Sequence, residues 1–135
     1  MILLLADVNI EGHVARLTGL MQAQYWRELW DDLDIRPRTF ANVGLSTDDT
    51  DDTVWLACQQ HGLHLVTNNR NDDGPDSLEA TIRTRNTENS LPVFTISDAE
   101  QVFRSKGYAD RVVETLFDYL LRIDTLRGTG RLFLP

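Results

Sequence analysis

Three short apolar runs constrain this chain more than anything else in it: "ILLLA" at residues 2–6, "LHLVT" at 63–67 and "PVFTIS" at 92–97. Each is too short for a helix, and each ends in polar or turn-forming residues. Apolar residues without alternation mark a strand covered on both faces, as in a parallel sheet. A further strand is expected at "RTFANV", residues 38–43, broken by Gly44. The stretches between have helical spacing. Residues 12–30 place Val14, Leu17, Met21, Tyr25 and Leu29 about one turn apart. Residues 31–38 read as a polar connection ending near Pro37. "STDDTDDTVWLACQQHG" opens with capping residues and closes on Gly62, the punctuation of a helix.

After the third strand, residues 68–77 form a turn-rich loop and residues 78–85 a helix. Ser97 and Glu100 have the spacing of a capping box. Residues 109–126 give the clearest amphipathic pattern, through Val113, Leu116, Phe117, Leu120 and Ile123. The tail "RGTGRLFLP" fits a late edge strand or a docking segment. Strands alternating with helices predict an α/β fold: three α/β/α layers around a mostly parallel sheet of four or five strands. With 135 residues, a single domain spanning 1–135 is expected.

The net charge of −8 is unevenly spread. Residues 1–76 hold 13 acidic and 5 basic side chains, residues 77–135 eight of each. Such a chain repels phosphate before contact, which argues against a simple nucleic-acid-binding module. It argues less against a nuclease, whose cations reverse the local field. The single Cys58 reads as a small buried hydrophobe. The run at residues 1–6 is far too short to span a bilayer and lacks a basic leader, so a cytoplasmic protein without membrane contact is expected.

Ligands of open α/β sheets collect at the carboxyl ends of the strands. The first strand delivers Asp7 there, followed by Asn9 and Glu11; the third delivers Thr67, Asn68 and Asn69. The helix between strands two and three begins with Asp48, Asp49, Asp51 and Asp52, and a right-handed crossover brings that start to the same edge. Oxygen ligands of this kind suit Mg²⁺ or Mn²⁺. Capping and the helix dipole explain Asp48 and Asp49 equally well. They do not explain Asp7, an acid closing an apolar strand.

"LLADVN", "DDTVWLACQQHGLHLVTNNRND" and the order of elements together resemble a PIN-domain protein, most closely its short PIN-like branch, by motif over residues 2–73. The resemblance implies a metal-dependent endoribonuclease, often the toxin of a toxin–antitoxin pair. Its acids would bind Mg²⁺ or Mn²⁺ and position a water against an RNA phosphodiester. Asp7 matches the acid after the first strand, and Asp52 the acid opening the next matched helix, with Asp51 as the register alternative and Asp49 in support. Asn9 and Thr67 agree with the family's pattern. Asn69 and Asn71 stand where the family has aspartates. With the neighbouring Arg70, Asn9, Thr67 and Asn69 are expected to position substrate.

The same two amides also fit a PIN-like scaffold that has lost its metal chemistry and works as a protein-interaction module. An antitoxin or other protein partner, or a second copy of the chain, is implied in either case. Other α/β enzymes lack their signatures here: there is no G-x-S-x-G elbow and no G-x-G-x-x-G after the first strand.

Overall fold

The computed structural model describes residues 1–135. Five strands form one all-parallel sheet in the order β2-β1-β3-β4-β5: β1 (Ile2–Ala6), β2 (Ile35–Arg38), β3 (Leu63–Thr67), β4 (Val93–Ile96) and β5 (Arg131–Leu134). The continuous apolar runs have become central strands buried on both faces, as parallel pairing requires. Leu4, Ala6, Val66, Phe94, Ile96 and Leu134 face the larger apolar layer. It is built with α1 (Glu11–Met21), α2 (Arg27–Leu33), the single-turn α5 (Gln101–Arg104) and α6 (Lys106–Leu121). Leu5, Leu63, Leu65 and Val93 face the other layer, with α3 (Asp51–His61) and α4 (Leu78–Arg85).

Three connections share one hand. The connection from β4 to β5 moves the same way along the sheet as that from β3 to β4, yet crosses the opposite face, so its hand is reversed. The α4 side of β4 and β5 is therefore roofed only by α4 and the 68–77 loop. Its interior mixes the apolar Leu78, Ile82 and Val93 with buried polar side chains, Thr67, Ser77, Thr81 and Thr95.

The second strand is Ile35–Arg38 rather than 38–43. Ile35 pairs with Ile2, and Pro37 is tolerated because β2 is an edge. Residues 41–43 form a turn of 3-10 helix instead, nucleated by reciprocal bonds in which Thr39 N–H donates to Asn42 Oδ1 and Asn42 N–H donates to Thr39 Oγ1 (3.0 and 3.3 Å). The helix expected over 12–30 is two helices separated by a turn, and Tyr25 leaves the apolar stripe for solvent. The Ser97 capping box does not form: the Ser97 hydroxyl donates to the Leu134 carbonyl (3.1 Å). Ser105 caps α6 instead, its Oγ accepting from Tyr108 N–H (3.1 Å). α3 stops where expected, at Gly62 with φ 65°. The tail is the edge strand β5. No helix is long and apolar enough to cross a membrane.

Cys58 is buried and its thiol is pushed up to about 12 by desolvation, then by the Asp7 charge, so it is chemically quiet. His64 is buried against Phe94, and its Nδ1 has no hydrogen-bond partner. Burial first, then Arg127, lowers its pKa to about 4. The folded value lies below the unfolded one, so this contribution to stability is complete above pH 6.5 and is lost as pH falls toward 4. Between pH 7 and pH 5 the loss should reach about 2 kcal/mol, or about 7 °C in Tm. His64→Leu should flatten that part of the Tm profile. An unchanged slope would show that the imidazole already finds a proton acceptor when folded.

Candidate functional site

The order β2-β1-β3-β4-β5 reverses direction between β1 and β3, the place where doubly wound sheets bind ligands. Asp7 closes β1 and Thr67 closes β3 at this point. The buried Thr67 hydroxyl donates to Asp7 Oδ2 (2.6 Å) and accepts from Asn69 N–H (3.0 Å). The Asn69 side-chain amide donates to Asp51 Oδ2 (3.0 Å), and so does the Leu78 N–H at the start of α4 (3.0 Å). Asn69 Oδ1 accepts from Asn71 N–H (2.8 Å), and Asn71 Oδ1 in turn accepts from Asp73 N–H (3.0 Å). These bonds fix which way the Asn69 amide points, because a carboxylate can only accept.

Asp7, Asn9, Asp49, Asp51 and Asn69 line one cavity of about 110 Å³, floored by apolar residues including Phe40, Val54, Leu65 and Leu78. Burial raises the Asp7 pKa above the usual carboxylate value; the Thr67 hydroxyl and the Val8 N–H oppose it, and the charges of Asp51 and Glu11 add to it. Asp49 spends Oδ2 on the Ser46 N–H (2.7 Å). Asp49 and Asp51 each keep Oδ1 free of protein donors.

The expectation that Asp52 joins Asp7 is corrected. Asp52 does not line the cavity; its carboxylate takes the Thr50 hydroxyl and the Thr53 N–H (2.9 Å). The Thr50 bond, with help from Thr53 and from Arg85 nearby, holds its pKa below the usual value. Asp51, one residue earlier in register, is the acid that α3 turns inward. Arg70 is exposed beside Asn69 and does not line the cavity.

Arg131, opening β5, gave no sequence signal beyond a charge at the head of an apolar run. Its side chain is 8% exposed and reaches beneath the loop. Nη1 donates to the Asn69 carbonyl and to Thr95 Oγ1, and Nη2 to Glu79 Oε2, all at 2.8 Å. Asn69 is thereby held from four sides: by Thr67, Asp51, Asn71 and Arg131.

No three His, Cys, Asp or Glu side chains converge closely enough to cage an ion. The cavity offers oxygen donors only, of the type a hard divalent ion takes, but too few carboxylates converge to replace more than a small part of such an ion's water. Comparison with family profiles, curated proteins and solved structures finds no match. What stands is the architecture, an α/β protein with an all-parallel five-stranded sheet and an acidic pocket at its switch point.

Proposed function

We propose that the protein is a PIN-like, metal-assisted ribonuclease that hydrolyses RNA phosphodiester bonds at the pocket between β1 and β3. The observation carrying this reading is that Asp7 and Asp51, distant in sequence, line one small cavity at the sheet's switch point. Asp7 and Asp51 would hold Mg²⁺ or Mn²⁺, with Asp49 in support. When bound, the ion polarises a phosphate oxygen and acidifies a water. Asn9 offers a polar contact at the cavity wall, and Arg70 stands exposed on the adjoining loop to meet the phosphate backbone. Thr67 fixes the Asp7 carboxylate, and Arg131 fixes the loop carrying Asn69.

A second reading, a PIN-like scaffold that binds a partner without catalysis, is favoured by the contacts of Asp51. The Asn69 amide and the Leu78 N–H both occupy Asp51 Oδ2, leaving this carboxylate only one oxygen to offer an ion.

Manganese-dependent RNA cleavage, lost in Asp7→Asn, separates the two. Wild type should also melt higher in millimolar Mn²⁺: an ion at about ten times its Kd adds about 1.4 kcal/mol, or about 5 °C. Asp7→Asn should abolish that response yet raise the metal-free Tm. The Asp7 pKa is raised on folding, so its ionised form costs stability at pH 7. That cost is absent below the unfolded value of 3.8 and grows as pH rises through the folded value. The gain from Asp7→Asn should accordingly vanish near pH 3. Cleavage that persists in Asp7→Asn, or is absent from wild type, would remove the nuclease reading.

A further inference from the structure

On the α6 side of the sheet, away from the acidic pocket, the turn between α1 and α2 carries the most exposed large aromatic of the molecule. Tyr25 is 86% exposed and packs edge-on against Trp26 (centroids 4.8 Å, 87°). Trp26 stacks on Phe117 of α6 (4.9 Å, 26°). Three surface depressions of about 560, 390 and 400 Å³ meet at Trp26. Exposed Leu121 lines the first of them, and Leu29 lines both the first and the third.

We infer that this surface docks a basic amphipathic segment of a partner protein. The aromatic ladder supplies anchors of the residue types that dominate binding energy, and rings that attract cations. The charges around it choose the occupant. Lys106 is paired with Asp110 (2.9 Å), Arg122 with Asp118 (3.1 Å) and Arg27 with Asp31 (3.4 Å). Glu28, Asp32 and Glu114, which line these depressions, make no ion pair at all. Arg111 is the one cation of the surface without an acidic partner, and it lies over the Tyr108 ring (5.7 Å). The surplus is acidic.

A nucleic acid or an anionic lipid surface would be repelled by it. A second copy docked face to face would set the same acids against each other. A segment with apolar residues at helical spacing and flanking Lys or Arg satisfies both the rings and the acids. The inference does not depend on the nuclease reading, because none of these residues lines the Asp7 cavity.

A labelled model helix of about 16 residues, with leucines at i and i+3/i+4 and Lys/Arg flanks, tests it by fluorescence anisotropy against its Glu-flanked counterpart. The basic peptide should bind the full chain, more weakly as salt rises. Tyr25→Ala and Glu28→Lys/Asp32→Lys should each weaken it at least about tenfold. Tyr25 is too exposed for its removal to unfold the chain, and an unchanged Tm verifies that. Equal binding of the two peptides, no binding of the basic one, or binding unchanged by these variants would overturn the inference. So would a concentration-dependent dimer abolished by Tyr25→Ala, which would name a second copy as the occupant.

Discussion

Arg131→Met should lower stability by about 3 kcal/mol, or about 10 °C in Tm, although the residue lies only three positions before the end of the edge strand β5. The substitution keeps the aliphatic stem but strands three partners at once: the Asn69 carbonyl, the Thr95 hydroxyl and the Glu79 carboxylate. Thr95 is fully buried and has no water to turn to. Glu79→Gln should cost less than about 1 kcal/mol, because Glu79 is 38% exposed and its charge is partly hydrated. Urea titration of the two variants beside wild type checks the asymmetry. Equal losses would mean that the ion pair, rather than the backbone clamp on Asn69, is what Arg131 contributes.

If the proposed metal reading holds, Asn69→Asp should make the pocket depend on a cation for its stability. Without metal, a second carboxylate would face Asp51 Oδ2 where the amide now donates at 3.0 Å. Two like charges at that distance cannot both stay ionised cheaply. The apo variant should lose about 2 kcal/mol at pH 7, or about 7 °C in Tm. Added Mn²⁺ should restore the loss, and calorimetric titration should give a Kd at least about tenfold below that of wild type. Asn69→Ala, which removes the donor without adding a charge, should be destabilised but gain no affinity. An Asn69→Asp protein that binds Mn²⁺ no better than wild type would mean that the ion does not sit beside Asp51.

The sheet was legible because a parallel strand leaves a strong mark: ILLLA, LHLVT and PVFTIS are mostly apolar without alternation, as burial on both faces favours. The edge strand β2 was misplaced because an edge needs only one buried residue, Ile35, and four residues carry little pattern. The break after Met21 was hidden because Tyr25 and Leu29 keep helical spacing while the backbone turns between Met21 and Arg27, with Tyr25 inside the turn. Asp7, Thr67 and Asn69 could be placed from strand ends alone. Choosing Asp51 over Asp52 could not, since one residue rotates a helix by about 100° and only the partner decides which acid faces inward. Arg131 was invisible because its role comes from the α4 side of β5 being roofed by polar chain, a fact of topology rather than of local sequence.

That polar roof sets how the pocket can be reached. Close-packed apolar layers yield a little at a time, whereas the span from Asn69 to Glu79 is fastened through shared partners: Thr67, Asp51 and Arg131 each hold two groups or more. Releasing any one leaves the others unsatisfied, so the span should detach all together or not at all, and seldom. Whatever enters the cavity lined by Asp7, Asp49 and Asp51 must use the opening that the folded chain already leaves, and its width, rather than any rate of loop motion, sets the size of what can be admitted.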